Sequence, residues 1–222
     1  GGGETLSPTE TTIVNDGSIV ATDPGGSLTI NNSGSLVNNA SILVASGGSL
    51  SIESVVTNAA TGNILVTGAG SSLTLGSAFF SPYDYYYQNE VYGYRYISDW
   101  TNLGTITVAN GGSLYLSGDF TDSALAGIVN QGGTIFIKGT LENAGSTLSV
   151  GAGSALPDVV LAGGVIMGGT VVSTDGALLT GSGTLDSVTY VGNVTIGGDY
   201  TDVTVVGGLS VTGISGPAVT SL

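Results

Sequence analysis

Residues Asn102–Leu116 read NLGTITVANGGSLYL, two short runs of alternating apolar and polar residues parted by an Asn-Gly-Gly corner. In the first run Ile106 and Val108 point one way while Thr105 and Thr107 point the other, the period-two pattern of a half-buried strand. Both runs recur. The second returns as GGSLTI at 25–30, GGSLSI at 47–52, GSSLTL at 70–75 and GSTLSV at 145–150. The first returns as GSIVA at 17–21, SILVA at 41–45 and NILVT at 63–67. Leu28 to Leu50 is 22 residues and Leu50 to Leu73 is 23, which sets the length of one repeat.

Strands of three to five residues bury too little to fold alone, and a fixed period of this size is the signature of stacked coils. Equivalent strands then pair in parallel about 4.8 Å apart, with inward Ile, Leu and Val aligned down the axis. The reading predicts an all-β, parallel β-solenoid with Ile42, Ile64, Ile106 and Ile135 in one inward row. At 20–22 residues per coil it predicts nine or ten coils and a rod on the order of 45 Å. Gly and Asn suit the corners because they accept positive φ. The pairs Asn31/Asn32 and Asn38/Asn39 are candidates for amide ladders between coils. A β-sandwich or barrel is the competing fold, but it calls for hairpin signals and longer strands. No helix longer than one turn is expected.

Composition agrees with this. Gly supplies 39 of the 222 residues, yet 41% of the chain is hydrophobic, enough for a core that a disordered Gly/Ser linker lacks. The 39 glycines show no three-residue period, which excludes collagen. A net charge of −14 with two basic residues, Arg95 and Lys138, argues against nucleic-acid partners and anionic membrane surfaces. Histidine and cysteine are both absent. That excludes Ser–His and thiolate chemistry and the usual zinc ligands, and it fits a bacterial protein exported through an oxidising compartment. GGGETLSPTE has neither the basic nor the apolar region of a signal peptide. The mostly apolar stretch at 157–169, PDVVLAGGVIMGG, is too short and Gly-broken to span a bilayer, so no membrane insertion is expected. Residues 1–14 read as an N-terminal extension and 15–222 as the solenoid.

The interval 78–100 breaks the pattern. AFFSPYDYYYQNEVYGYRYISDW holds Tyr83, Tyr85, Tyr86, Tyr87, Tyr92, Tyr94 and Tyr96, the only Arg, Arg95, and the only Trp, Trp100. Leu73 to Leu114 is 41 residues, about 19 beyond a coil, so a loop or a decorated coil is inserted there. Two readings stand side by side. One is an adhesive or glycan-stacking surface, since long loops on rigid scaffolds carry binding and Tyr offers rigid amphipathic area. The other is an aromatic flap packed on the solenoid flank or on a neighbouring subunit. Arg95 has Asp84, Glu90 and Asp99 as candidate ion partners.

GDFTD at 118–122 returns as GDYTD at 198–202. Its carboxylates, Asp119 with Asp122 and Asp199 with Asp202, are candidate Ca²⁺ ligands in a turn, although turn Asp usually bonds its own backbone. No other cofactor is expected. Asp119 and Asp122 are also the best acids for glycan cleavage, which needs clustered carboxylates. With two basic residues and 16 scattered acids, a non-enzymatic role is the stronger expectation.

The phrasing of Asn102–Leu116 resembles the repeats of autotransporter passengers and filamentous-haemagglutinin-type exoproteins of bacteria. The likeness covers 15–150 well and 160–213 more loosely, and TLDSVTYVGNVTIGGDYTDVTVVGGLSVTG at 184–213 is similar to repeats of giant bacterial surface proteins. The resemblance implies a right-handed parallel β-helix, an extracellular place at the cell surface, and roles in adhesion or matrix. Expected partners are further coils of a longer chain, other copies stacked head to tail, or a host or matrix glycan or protein. The expected function is a structural module, a rigid spacer or filament subunit adhesive through the insert. The alternative is a glycan-binding or glycan-cleaving β-helix.

Overall fold

The computed structural model describes residues 3–8, 11–32, 34–76, 83–88, 91–96, 99–192 and 201–213. Three short strands per turn, separated by corners, wind the chain into a parallel β-solenoid of about 8 turns. The first face stacks seven strands: Gly3–Leu6, Ser27–Ile30, Ser49–Ile52, Ser72–Leu75, Ser113–Leu116, Thr134–Ile137 and Val159–Leu161. The second face stacks Thr12–Asn15, Ser35–Asn38, Val55–Asn58 and Trp100–Asn102. The third stacks Ser18–Ala21, Ser41–Val44, Asn63–Thr67, Thr105–Ala109 and Ile128–Gln131. A further sheet begins with Asp119–Thr121 and carries the later turns.

Register is kept residue for residue. On the first face Leu28, Leu50, Leu73, Leu114, Ile135 and Val159 align in one row. On the third face Ile19, Ile42, Ile64, Ile106 and Ile128 align in another. Ile42, Ile64 and Ile106 thus share a ladder as expected, but Ile135 does not. It belongs to the GGSLxI phrase, one strand later in its turn, and Ile128 takes the fourth place. The alternate positions include the exposed Val14, Val20 and Val129 on the second and third faces, whereas on the first face they are mostly Ser and Thr. Ser27, Ser49, Ser72, Ser113 and Thr134 form one such row, with Ser49 and Ser72 hydroxyls 2.9 Å apart.

Gly3–Leu6 and Thr12–Asn15 lie in the segment read as an extension, yet both pair in parallel with the next turn. The turn count falls below nine or ten because one turn absorbs the whole interval from Leu73 to Leu114, which pair directly. Toward the other end the chain changes style. Gly183–Gly192 is a single ten-residue strand that pairs with both Val165–Met167 and Thr170–Ser173. It turns the corner at Ser187 (φ 56°), and Val203–Thr212 stacks on it. The one α-helix among the described residues is a single turn, Asp122–Leu125.

Candidate functional site

The corner between the first and second faces is where the fourth turn departs from the others. In the third turn Glu53 and Ser54 alone join Ile52 to Val55. In the fourth the chain leaves after Leu75 and returns at Trp100. Gly76 makes the departure possible. Its φ is +84°, and a Cβ there would strike the Ser117 carbonyl and crowd the Trp100 ring at 3.1 Å.

Between these points lies an antiparallel ribbon, Tyr83–Gln88 paired with Val91–Tyr96. Its register sets Tyr83 opposite Tyr96, Tyr85 opposite Tyr94, and Tyr87 opposite Tyr92. Six of the seven insert tyrosines therefore fall on alternate, mutually paired positions. Tyr86 stands opposite Gly93, and Asp84 opposite Arg95. Glu90, another candidate partner of Arg95, lies outside the described residues.

Trp100 does not belong with them. It is 1% exposed, takes the register place of Val56 in the solenoid core, and packs on Phe120 with ring centroids 4.8 Å apart. Its Nε1–H donates to the Ser117 carbonyl at 3.1 Å, so the buried indole is satisfied.

Beside Trp100 three carboxylates meet. Asp99 Oδ2 accepts the Asp119 N–H at 2.8 Å, and the Asp99 N–H donates to the Asp119 carbonyl at 2.7 Å. Asp119 stands opposite Thr140, whose hydroxyl it accepts, and Glu142 stands opposite Thr121. Asp99 and Asp119 are only 6% and 7% exposed. Burial raises the pKa of both, and the Asp119 charge raises Asp99 further. Glu142 is raised by burial and then by Asp119, and its Oε1 is buried without a hydrogen-bond partner. Asp122, at the start of the one-turn helix, is raised by burial.

Sequence reasoning named Asp119 and Asp122 together and gave Asp99 to Arg95, but it did not bring Asp99 or Glu142 to Asp119. One-coil spacing was the available signal, since Asp99 precedes Asp119 by 20 residues. Among the described residues no three acids are arranged to hold a metal ion. Asp199 lies outside the described residues, and Asp202 is exposed, with its N–H on Ser182 Oγ at 3.1 Å.

Two clefts lie elsewhere. One of about 340 Å³ opens at the first turn between Glu4, Val20, Asp23 and Leu28, and a shallow one of about 400 Å³ flanks Ser187 and Gly208. Tyr115 and Phe136 stack on the first face, centroids 4.8 Å apart, with Lys138 Nζ 5.3 Å from the Tyr115 ring. They replace the Thr and Ser that fill this outward row in earlier turns, a ladder stacked ring on ring. No family model, curated protein or solved structure matches this chain.

Proposed function

We propose that the chain is an extracellular structural module of a bacterial surface protein, a rigid spacer that presents the Tyr-rich ribbon as a contact surface for a glycan or protein. The unbroken register of seven strands along the first face carries this reading. A continuous parallel ladder with a filled core resists bending, and the outer side of the first face is mostly Ser and Thr in its early turns. The ribbon sets tyrosines at paired register positions without interrupting the ladder, because Leu73 and Leu114 still pair.

The glycan-cleaving alternative would use Asp99, Asp119 and Glu142. Two of these are more than nine-tenths buried, and the two clefts described above involve none of them. Carboxylates so enclosed are poorly placed to reach a polysaccharide, whereas a raised pKa follows from structural burial alone. Solution scattering on the 222-residue chain tests the proposal. A stiff particle of about 40 Å along the axis is expected from the strand spacing. Release of sugar ends from a polysaccharide panel, lost in D119N, would overturn it in favour of the enzyme.

A further inference from the structure

We infer that the third face, over its second to fifth turns, is the surface on which two copies of this chain pair side by side. The inference goes beyond the spacer reading and does not depend on it. The strip comprises residues 39–48, 59–71, 103–112 and 126–133, which hold none of the 16 acids and neither of the two bases. Charges bound it. Asp16 and Asp23 bracket the third-face strand of the first turn, and Asp122 precedes the strip in the fifth. Asp158 stands in the next turn, where its carbonyl accepts the Ile135 N–H at 3.0 Å.

Within these bounds the outward side is largely apolar. Leu43, Leu65, Thr107 and Val129 align in one outward row, beside the inward isoleucines. Leu103 flanks that row at the corner and is 71% exposed, above every other large hydrophobic of the described residues. It continues the corner places of Asn39 and Ala59, each N–H donating to the carbonyl of the second-face Asn one turn back. The matching outward places on the first face are Thr29, Ser51 and Thr74, which water serves well. Leu and Val at such places gain only when something covers them.

Charge selects the occupant. At a net charge of −14 two copies repel wherever their acids meet, so they approach closely only where neither carries charge. A basic partner would instead be drawn to the acids that this strip lacks. A two-fold contact asks one patch to complement itself, and it closes as a dimer rather than growing into a filament. The pairing is lateral and uses neither end of the solenoid. Four strands about 4.8 Å apart, each about 20 Å wide with its corners, give a footprint on the order of 400 Å² per copy. That is about half a standard interface and places the dimer in the weak, transient class.

Sedimentation equilibrium of the full chain up to about 1 mM, at about 0.05 M and about 0.5 M salt, tests this. The parent should pass from monomer to dimer and no further, more tightly at the higher salt, where repulsion between copies is screened. L103E puts a charge from each copy into the contact and should weaken the dimer at least tenfold. V129E should do the same from another turn, and it preserves the test if L103E misfolds by circular dichroism. V14E adds the same charge to the second face, where Val14 is 51% exposed, and should dimerise as the parent does. A parent that stays monomeric at both salts would overturn the pairing and leave the strip to another partner or to solvent. Dimers unmoved by both L103E and V129E, or weakened equally in V14E, would overturn it by placing the contact elsewhere. The stiffness that tests the spacer reading is measured on dilute monomer and stands apart from all of these results.

Discussion

Asn58 shows how a single side chain holds three turns together. It accepts from Asn38 Nδ2 and donates to Asn102 Oδ1, both at 2.7 Å, in a row that starts with Asn15 and ends on the Ala126 carbonyl. N58A should cost about 2–4 kcal/mol in denaturant unfolding, because Asn102 Oδ1 is left buried without that donor. N58D should cost more, since a carboxylate can accept from Asn38 but cannot donate to Asn102. An N58A midpoint equal to the parent's would show that the ladder contributes nothing. The carboxylates beside Trp100 act in the opposite sense. Burial raises Asp99, Asp119, Asp122 and Glu142, so the fold favours their protonated forms. Their stabilising contribution is complete below the ordinary carboxylate range and is lost as pH rises through the raised values. The parent should therefore gain more from these groups at about pH 4, at the foot of the ordinary carboxylate range, than at about pH 8, and melt higher there. D119N should melt higher than the parent at the upper pH and show a smaller difference between the two. An unchanged difference would mean that Asp119 is not coupled to folding. Inward apolar residues were legible from their phrases. Asn102 was not, because an Asn at a corner reads equally as a turn residue, and only its partners one coil away decide.

At the scale of elements, the repeat was readable and the departures from it less so. Length alone located an insertion between Leu73 and Leu114, but the antiparallel register of Tyr83–Gln88 with Val91–Tyr96 had no Asn-Gly or Asp-Gly turn to announce it. The reading also drew Trp100 into the insert on its aromaticity, whereas its pairing with Val56 makes it the first core residue after the return. The ten-residue strands escaped notice for a related reason. Ser187 turns the corner of Gly183–Gly192 at φ 56° without a glycine to mark it, although Gly207 and Gly208 mark that of Val203–Thr212. Deleting residues 81–98 should keep the far-UV circular dichroism of the solenoid, because six residues remain between Leu75 and Trp100 where two suffice between Ile52 and Val55. Surface insertions change loop-closure entropy only slowly with length, so the melting temperature should shift by no more than a few degrees. Binding to an immobilised glycan panel, where the parent shows any, should disappear. Loss of the β spectrum on deletion would instead make the ribbon part of what folds the fourth turn.

For the whole molecule, stacking identical registers makes each turn an exchangeable unit. Ser27–Ile30 and Ser49–Ile52 occupy equivalent places, and the residues before them are Gly-Gly in both turns. Excising residues 27–48 joins Gly26 to Ser49 and recreates the same phrase. Every row then closes on an equivalent neighbour: Leu6 on Ile52, Asn15 on Asn58, Ile19 on Ile64 and Ala21 on Val66. These matches follow because each excised residue pairs with the first-turn residue on one side and the third-turn residue on the other. The Asn row loses one member but keeps its donor-to-acceptor direction. The corners of the turns brought together differ in length, and on the second face Leu36 gives way to Val56, a smaller side chain over Ile13. In a nearest-neighbour solenoid the loss is one turn's own stability and one interface, with no penalty for a broken topology. The excised protein should fold, keep a single cooperative transition at a lower midpoint, and shorten by about 4.8 Å in solution scattering. A spacer built on this plan has its length set by the number of turns. If the shortened chain fails to fold, the turns are not equivalent units, and the rod depends on contacts that the register does not describe.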